Sequence, residues 1–126
     1  MLVALAVVAA LLSSDWQTHH DDQAGYTVEY PAEWSVDFGD STTHFTSPSG
    51  RVGIVITVDD GVATDAPEAP CSAVTVAGLP ALSCEDILTF SVWTSIIDGG
   101  RTVTIATSAK NYDARAYAHV VDSFTP

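Results

Sequence analysis

Positive charge is what this chain has least of. Four lysines and arginines stand against 16 aspartates and glutamates, a formal net charge of −12. So few basic side chains cannot build a phosphate-contacting patch, which excludes nucleic acid as a partner. Charge of either sign is scarce, at 16% against 47% hydrophobic residues, and this excludes a disordered chain. There is no glycine-rich phosphate loop, no Gly-x-Ser-x-Gly elbow and no internal repeat or low-complexity tract. After Leu12 no apolar run is long enough to span a bilayer. The surplus of acid reads as solubility, salt adaptation or repulsion of anionic membranes, and it names no ligand.

Met1 to Leu12 is unbroken apolar sequence. As a helix it would reach about 18 Å, against about 30 Å of hydrocarbon, so it matches the core of a secretory signal better than a membrane span. Ser13 and Ser14 suit a cleavage site near Asp15, although no Lys or Arg precedes the run. A lipid anchor would need cysteine where Asp15 stands. Residues 1–14 are therefore expected to be an export signal and the mature chain secreted or held in the cell envelope. An oxidising compartment makes Cys71 and Cys84 a disulfide candidate.

Residues 15–25 are polar and without period, and read as a linker. From Tyr26 the pattern becomes strict alternation, with Tyr26, Val28 and Tyr30 on one face of a strand that Pro31 ends. Val36 and Phe38 alternate before a turn at Gly39-Asp40-Ser41, and Thr42 to Ser47 is β-rich. Pro48-Ser49-Gly50 is a turn, followed by Val52, Ile54, Ile56 and Val58 on one face. Val62 to Pro70, with two prolines, is a loop. A hairpin centred on Ala77-Gly78 places Cys71 directly opposite Cys84, with Cβ atoms within about 5.5 Å, near what a disulfide requires. Asp98-Gly99-Gly100 between β-branched runs marks a second hairpin. An even loop there puts Phe90, Val92 and Ile96 on the same face as Val103 and Ile105. Tyr117, Val120, Val121 and Phe124 form an apolar helical stripe, with Asn111 or Asp113 as its cap and Pro126 as its limit. The sum is about six to eight short strands and one C-terminal helix, an α+β domain over residues 26–126 built on an antiparallel sheet with the helix packed on one face.

Tyr26-Thr27-Val28-Glu29-Tyr30-Pro31-Ala32-Glu33-Trp34 resembles the opening of PsbP-like domains, a strand ending in Tyr-Pro with a tryptophan after two further residues. The bend Val76-Ala77-Gly78-Leu79-Pro80-Ala81, the long hairpin and the ending Val121-Asp122-Ser123-Phe124 are similar too, so the resemblance spans Tyr26 to Phe124. It implies an antiparallel sheet sandwiched with helices. The family includes an extrinsic subunit of photosystem II and many exported bacterial proteins, so the implied role is an accessory or binding module and not an enzyme. Such domains usually place a helix between the third strand and the Gly-Pro bend. Val62 to Pro70 is too short and proline-rich for it.

Few residue groups carry chemistry. His19-His20-Asp21-Asp22 holds metal-ligand types, but adjacent side chains do not converge unaided, and a solvated linker is the expectation. Asp37, Asp40, Asp59 and Asp60 sit in turns without the spacing of a calcium loop. No catalytic residue, metal or cofactor is assigned. Trp34 is expected as a core plug and Trp16 as exposed. The sheet face bearing Trp93 and Ile97, opposite the set that the helix covers through Tyr117, Val121 and Phe124, is the candidate partner surface, rimmed by Ser95, Thr102 and Thr104. The competing possibility is that the 62–70 loop or the N-terminal strand folds over it. The expected function is an exported non-enzymatic module binding a protein partner or small ligand. The alternative is a small secreted hydrolase using His44 or His119 with a nearby acid.

Overall fold

The computed structural model describes residues 15–39, 41–61, 71–86, 88, 90–108 and 113–126. The expected leader over 1–14, the expected loop over 62–70, Asp40 and Asn111 lie outside them. In chain order the described elements are β1 (Trp16–Asp21), β2 (Tyr26–Pro31), β3 (Ser35–Phe38), β4 (Thr42–Thr46), β5 (Gly53–Asp60), β6 (Cys71–Val76), β7 (Leu79–Asp86), β8 (Ser91–Asp98), β9 (Arg101–Ser108) and α1 (Ala114–Ser123). Seven strands form one antiparallel sheet in the order β3-β4-β5-β9-β8-β7-β6, and β1 pairs with β2 in a separate ribbon.

The alternation read from the sequence is the alternation buried. Tyr26, Val28 and Tyr30 face the core from β2, and Ile54 and Ile56 face it from β5. The β8–β9 hairpin turns on Gly99-Gly100, with Asp98 opposite Arg101. That two-residue loop pairs Ile96 with Val103 and Thr94 with Ile105 on the buried face, as an even loop requires. Phe90 is a correction: it precedes β8 at φ 54°, in a turn, and is 55% exposed. A positive φ breaks the pleat, so strand parity does not extend back to it. The β6–β7 hairpin turns on Ala77-Gly78 at φ 52° and 77°, which sets Cys71 opposite Cys84.

The linker expected over 15–25 is also corrected. Trp16 pairs with Pro31 and Asp21 with Tyr26, an antiparallel ladder along the whole of β1. Asp21 closes the following turn, its carboxylate accepting from the Ala24 amide at 2.8 Å. The Arg101 guanidinium donates to the carbonyls of Ala24 and Gly25 while pairing with Asp98 at 2.8 Å. A polar ribbon needs backbone partners rather than an apolar face, so it leaves no alternation to read.

Asp113 caps α1, its carboxylate accepting from the Ala116 amide at 3.0 Å. Ala116, Tyr117, Val120 and Phe124 are buried, and Val121 is half-buried against the core. The Tyr117 hydroxyl reaches Thr94 Oγ1 at 2.6 Å and donates to the Ile105 carbonyl at 3.2 Å, pinning the helix to the sheet. The Tyr26 hydroxyl donates to Thr43 at 2.9 Å and pins the ribbon to the same face. Beyond the helix, Thr125 and Thr27 exchange two backbone hydrogen bonds of 2.9 Å. Ribbon and helix thus share one face of the seven-stranded sheet. No helix among the described residues is long and apolar enough to cross a membrane.

Candidate functional site

The other face of the sheet is set by register. Cys84, Trp93, Ala106, Val55, His44 and Asp37 are successive cross-strand partners on β7, β8, β9, β5, β4 and β3. Leu82, Ser95, Thr104, Thr57 and Thr42 form the neighbouring row. Directly paired residues share a face, so both rows point away from the ribbon and helix. Trp93, Ser95 and Ile97 are half-buried, whereas Val92, Thr94 and Ile96 between them are buried. Trp93 and Ile97 thus share the sheet face opposite the ribbon and helix, as the alternation in the sequence requires, and both are half-buried. Ser95 and Thr104 lie 3.5 Å apart through their hydroxyls, as rim residues. Thr102 is corrected: it is 7% exposed and its hydroxyl donates to the Gly61 carbonyl at 2.9 Å, so it adds nothing to a rim.

Cys71 and Cys84 form the disulfide at the β6 edge of this face, with Cα atoms 4.1 Å apart. The β6–β7 register sets Cys71 directly opposite Cys84, which is why hairpin arithmetic suffices to find the bridge. The bridge fits an oxidising compartment.

The histidines divide by environment. His44 is exposed on β4, and among the described residues its ring has no hydrogen bond or ion pair. His119 Nε2 meets Glu29 Oε1 at 2.8 Å, and its ring stacks on Trp16. Ser123, one turn further along α1, gives its hydrogen bonds to backbone, donating to Val120 O at 3.0 Å and accepting from the Glu29 amide at 2.8 Å. His19 and His20 lie on opposite sides of β1. His20 bonds Thr27 and Asp22 at the surface, whereas His19 sits among the rings of Tyr26, Phe38 and Phe45. Burial lowers the His19 pKa; Asp21 opposes this and His20 adds to it. Among the described residues its buried Nε2 has no hydrogen-bond partner. Among the described residues no three ligand-type side chains group as a metal site.

Trp16 is the residue that sequence reasoning missed. It was expected to be exposed, and it is half-buried, at parallel distance from His119. With Trp34, Pro31, Asp15, Glu33, Asp113 and Arg115 it lines a cleft of about 400 Å³ between the start of β1, the turn after β2 and the beginning of α1. Trp34 packs against the core and also borders this cleft, so it is only partly the plug expected. A tryptophan inside a polar stretch was the one available signal.

No family model matches the chain, and no curated protein matches it in sequence. Among solved structures it is similar to the solution structure of cyanobacterial PsbP (CyanoP) from Synechocystis sp. PCC 6803, at 11% identity and a TM-score of 0.65, over 89% of this chain and 92% of that one. It is also similar to a crystal structure from Bacteroides thetaiotaomicron VPI-5482, at 16% identity and a TM-score of 0.59, over 88% of this chain and 48% of that one. The fold, mainly antiparallel sheet with a C-terminal helix, is PsbP-like.

Proposed function

We propose that the chain is an exported, non-enzymatic accessory module that docks a protein partner on the outer face of its seven-stranded sheet, anchored by Trp93 and Ile97. One observation carries this reading. Half-buried Trp93, Val55 and Ala106 run side by side across three central strands, beside the hydroxyl row of Ser95, Thr104 and Thr57. An aromatic anchor within aliphatic neighbours and a hydroxyl rim is the composition of a docking patch, and the charge on this row lies at its far end, at Asp37 on β3. Export is supported by the leader-like run Met1 to Leu12 and by the disulfide. The non-catalytic reading is supported by the nucleophile candidates: Ser123, one turn from His119, bonds backbone groups, and Cys71 and Cys84 are joined in the disulfide.

The test is site-specific photo-crosslinking from position 95 of the full chain, expressed in the envelope of its own organism. One defined protein adduct is expected, and Trp93→Ser should reduce it at least about tenfold while the melting temperature moves by only a few degrees. No adduct above that of a probe at position 122 overturns the proposal. So does a Trp93→Ser chain that unfolds, because Trp93 is then core.

A further inference from the structure

We infer that the cleft between Trp16 and Trp34 binds a small free organic ammonium cation, at a site separate from the sheet face proposed above. The cleft's volume of about 400 Å³ is in the range of small-molecule sites. Among the described residues its lining includes Trp16, Trp34 and the acids Asp15, Glu33 and Asp113, the last of which also caps α1, with Arg115 as the one basic residue. Indole faces attract cations through the ring quadrupole, and nearby carboxylates add long-range attraction without demanding one geometry. The structure already shows this chemistry in use. Arg115 holds its guanidinium carbon over the Trp16 ring, 6.0 Å from the centroid, and among the described residues it forms no ion pair with any of the three carboxylates. Trp16 is itself held in place by its stack on His119, at 3.5 Å and 7° between planes. A wall positioned before the ligand arrives loses less entropy on binding. Arg115 is exposed and occupies the place that an entering cation would take. The excess of carboxylates over guanidinium selects a bare ammonium and disfavours one that carries a phosphate, as a lipid headgroup does.

The experiment is calorimetric titration of the full chain with choline, with neohexyl alcohol (the uncharged carbon analogue of choline) and with glycerophosphocholine. Saturable choline binding is expected, with the uncharged analogue about tenfold weaker, the measure of the charge itself. Glycerophosphocholine should also be weaker than choline. Arg115→Ala should tighten choline binding about threefold or more by removing the internal competitor, and Glu33→Gln should weaken it about twofold to threefold. Both positions are exposed, so both variants should fold. Equal binding of choline and the alcohol overturns the inference, as does weaker choline binding in Arg115→Ala or the absence of saturable heat. Glycerophosphocholine binding as tightly as choline overturns the assignment to a free cation.

Discussion

The indole of Trp16 lies flat on the imidazole of His119, with centroids 3.5 Å apart and planes 7° apart. The same imidazole holds Glu29 at 2.8 Å, so one histidine joins the first strand, the second strand and the C-terminal helix. Gln17 adds to this clasp by accepting from the Tyr30 hydroxyl at 2.9 Å.

A chain beginning at Gln23 loses that clasp and the whole β1 ladder. It is expected to lose at least about 2 kcal/mol, or roughly 10 °C in melting temperature for a domain of this size. Trp16→Ala alone should cost about 1 kcal/mol, the scale of one aromatic stack. Thermal melts of the three chains decide this; a shorter chain melting within about 2 °C of the longer one would mean that β1 adds nothing to stability.

The disulfide closes a sequence separation of 13 residues. In the chain-entropy description a loop of that length restricts the unfolded state by about 3 kcal/mol. Replacing both cysteines with serine, or melting under strong reductant, should therefore lower stability by that order. Calorimetry that finds reduced and oxidised chains equally stable would contradict the chain-entropy account for this hairpin.

Burial lowers the pKa of His19 from its ordinary 6.5, so the folded chain favours the neutral ring more than the unfolded chain does. A depressed histidine contributes its stability fully above the unfolded pKa. That contribution is lost as pH falls below about 6.5 and through the lowered folded value, because the unfolded chain then binds the proton more readily. His19→Phe should remove this part of the acid loss, and it also removes the unpartnered Nε2. Urea midpoints measured between pH 7.5 and pH 5 test it, and parallel pH profiles for the two chains would refute the assignment to His19.

Ala77 holds φ 52°, a left-handed conformation that a Cβ disfavours, beside Gly78 at φ 77°. Asn-Gly suits such a two-residue hairpin turn better than Ala-Gly. Ala77→Asn should stabilise the chain by about 1 kcal/mol without altering the fold. A lower melting temperature would show that the Ala77 side chain has packing value that outweighs its backbone strain.

The sequence alone determined the features that repeat locally. Period two in Tyr26-Val28-Tyr30 and Ile54-Ile56, the loop parity at Gly99-Gly100, the facing cysteines and the helical stripe all follow from one backbone period meeting one apolar face. The same parity placed Trp93 and Ile97 together. Tertiary structure alone decided what partners across long separations do. It set β5 beside β9, drew polar β1 into a ribbon, turned Phe90 outward and brought Trp16, His119 and Glu29 into contact. None of these leaves a periodic trace. Backbone hydrogen bonding is available to any residue type except proline as donor, and a polar side chain finds its partner only after hydrophobic burial has fixed the surfaces around it.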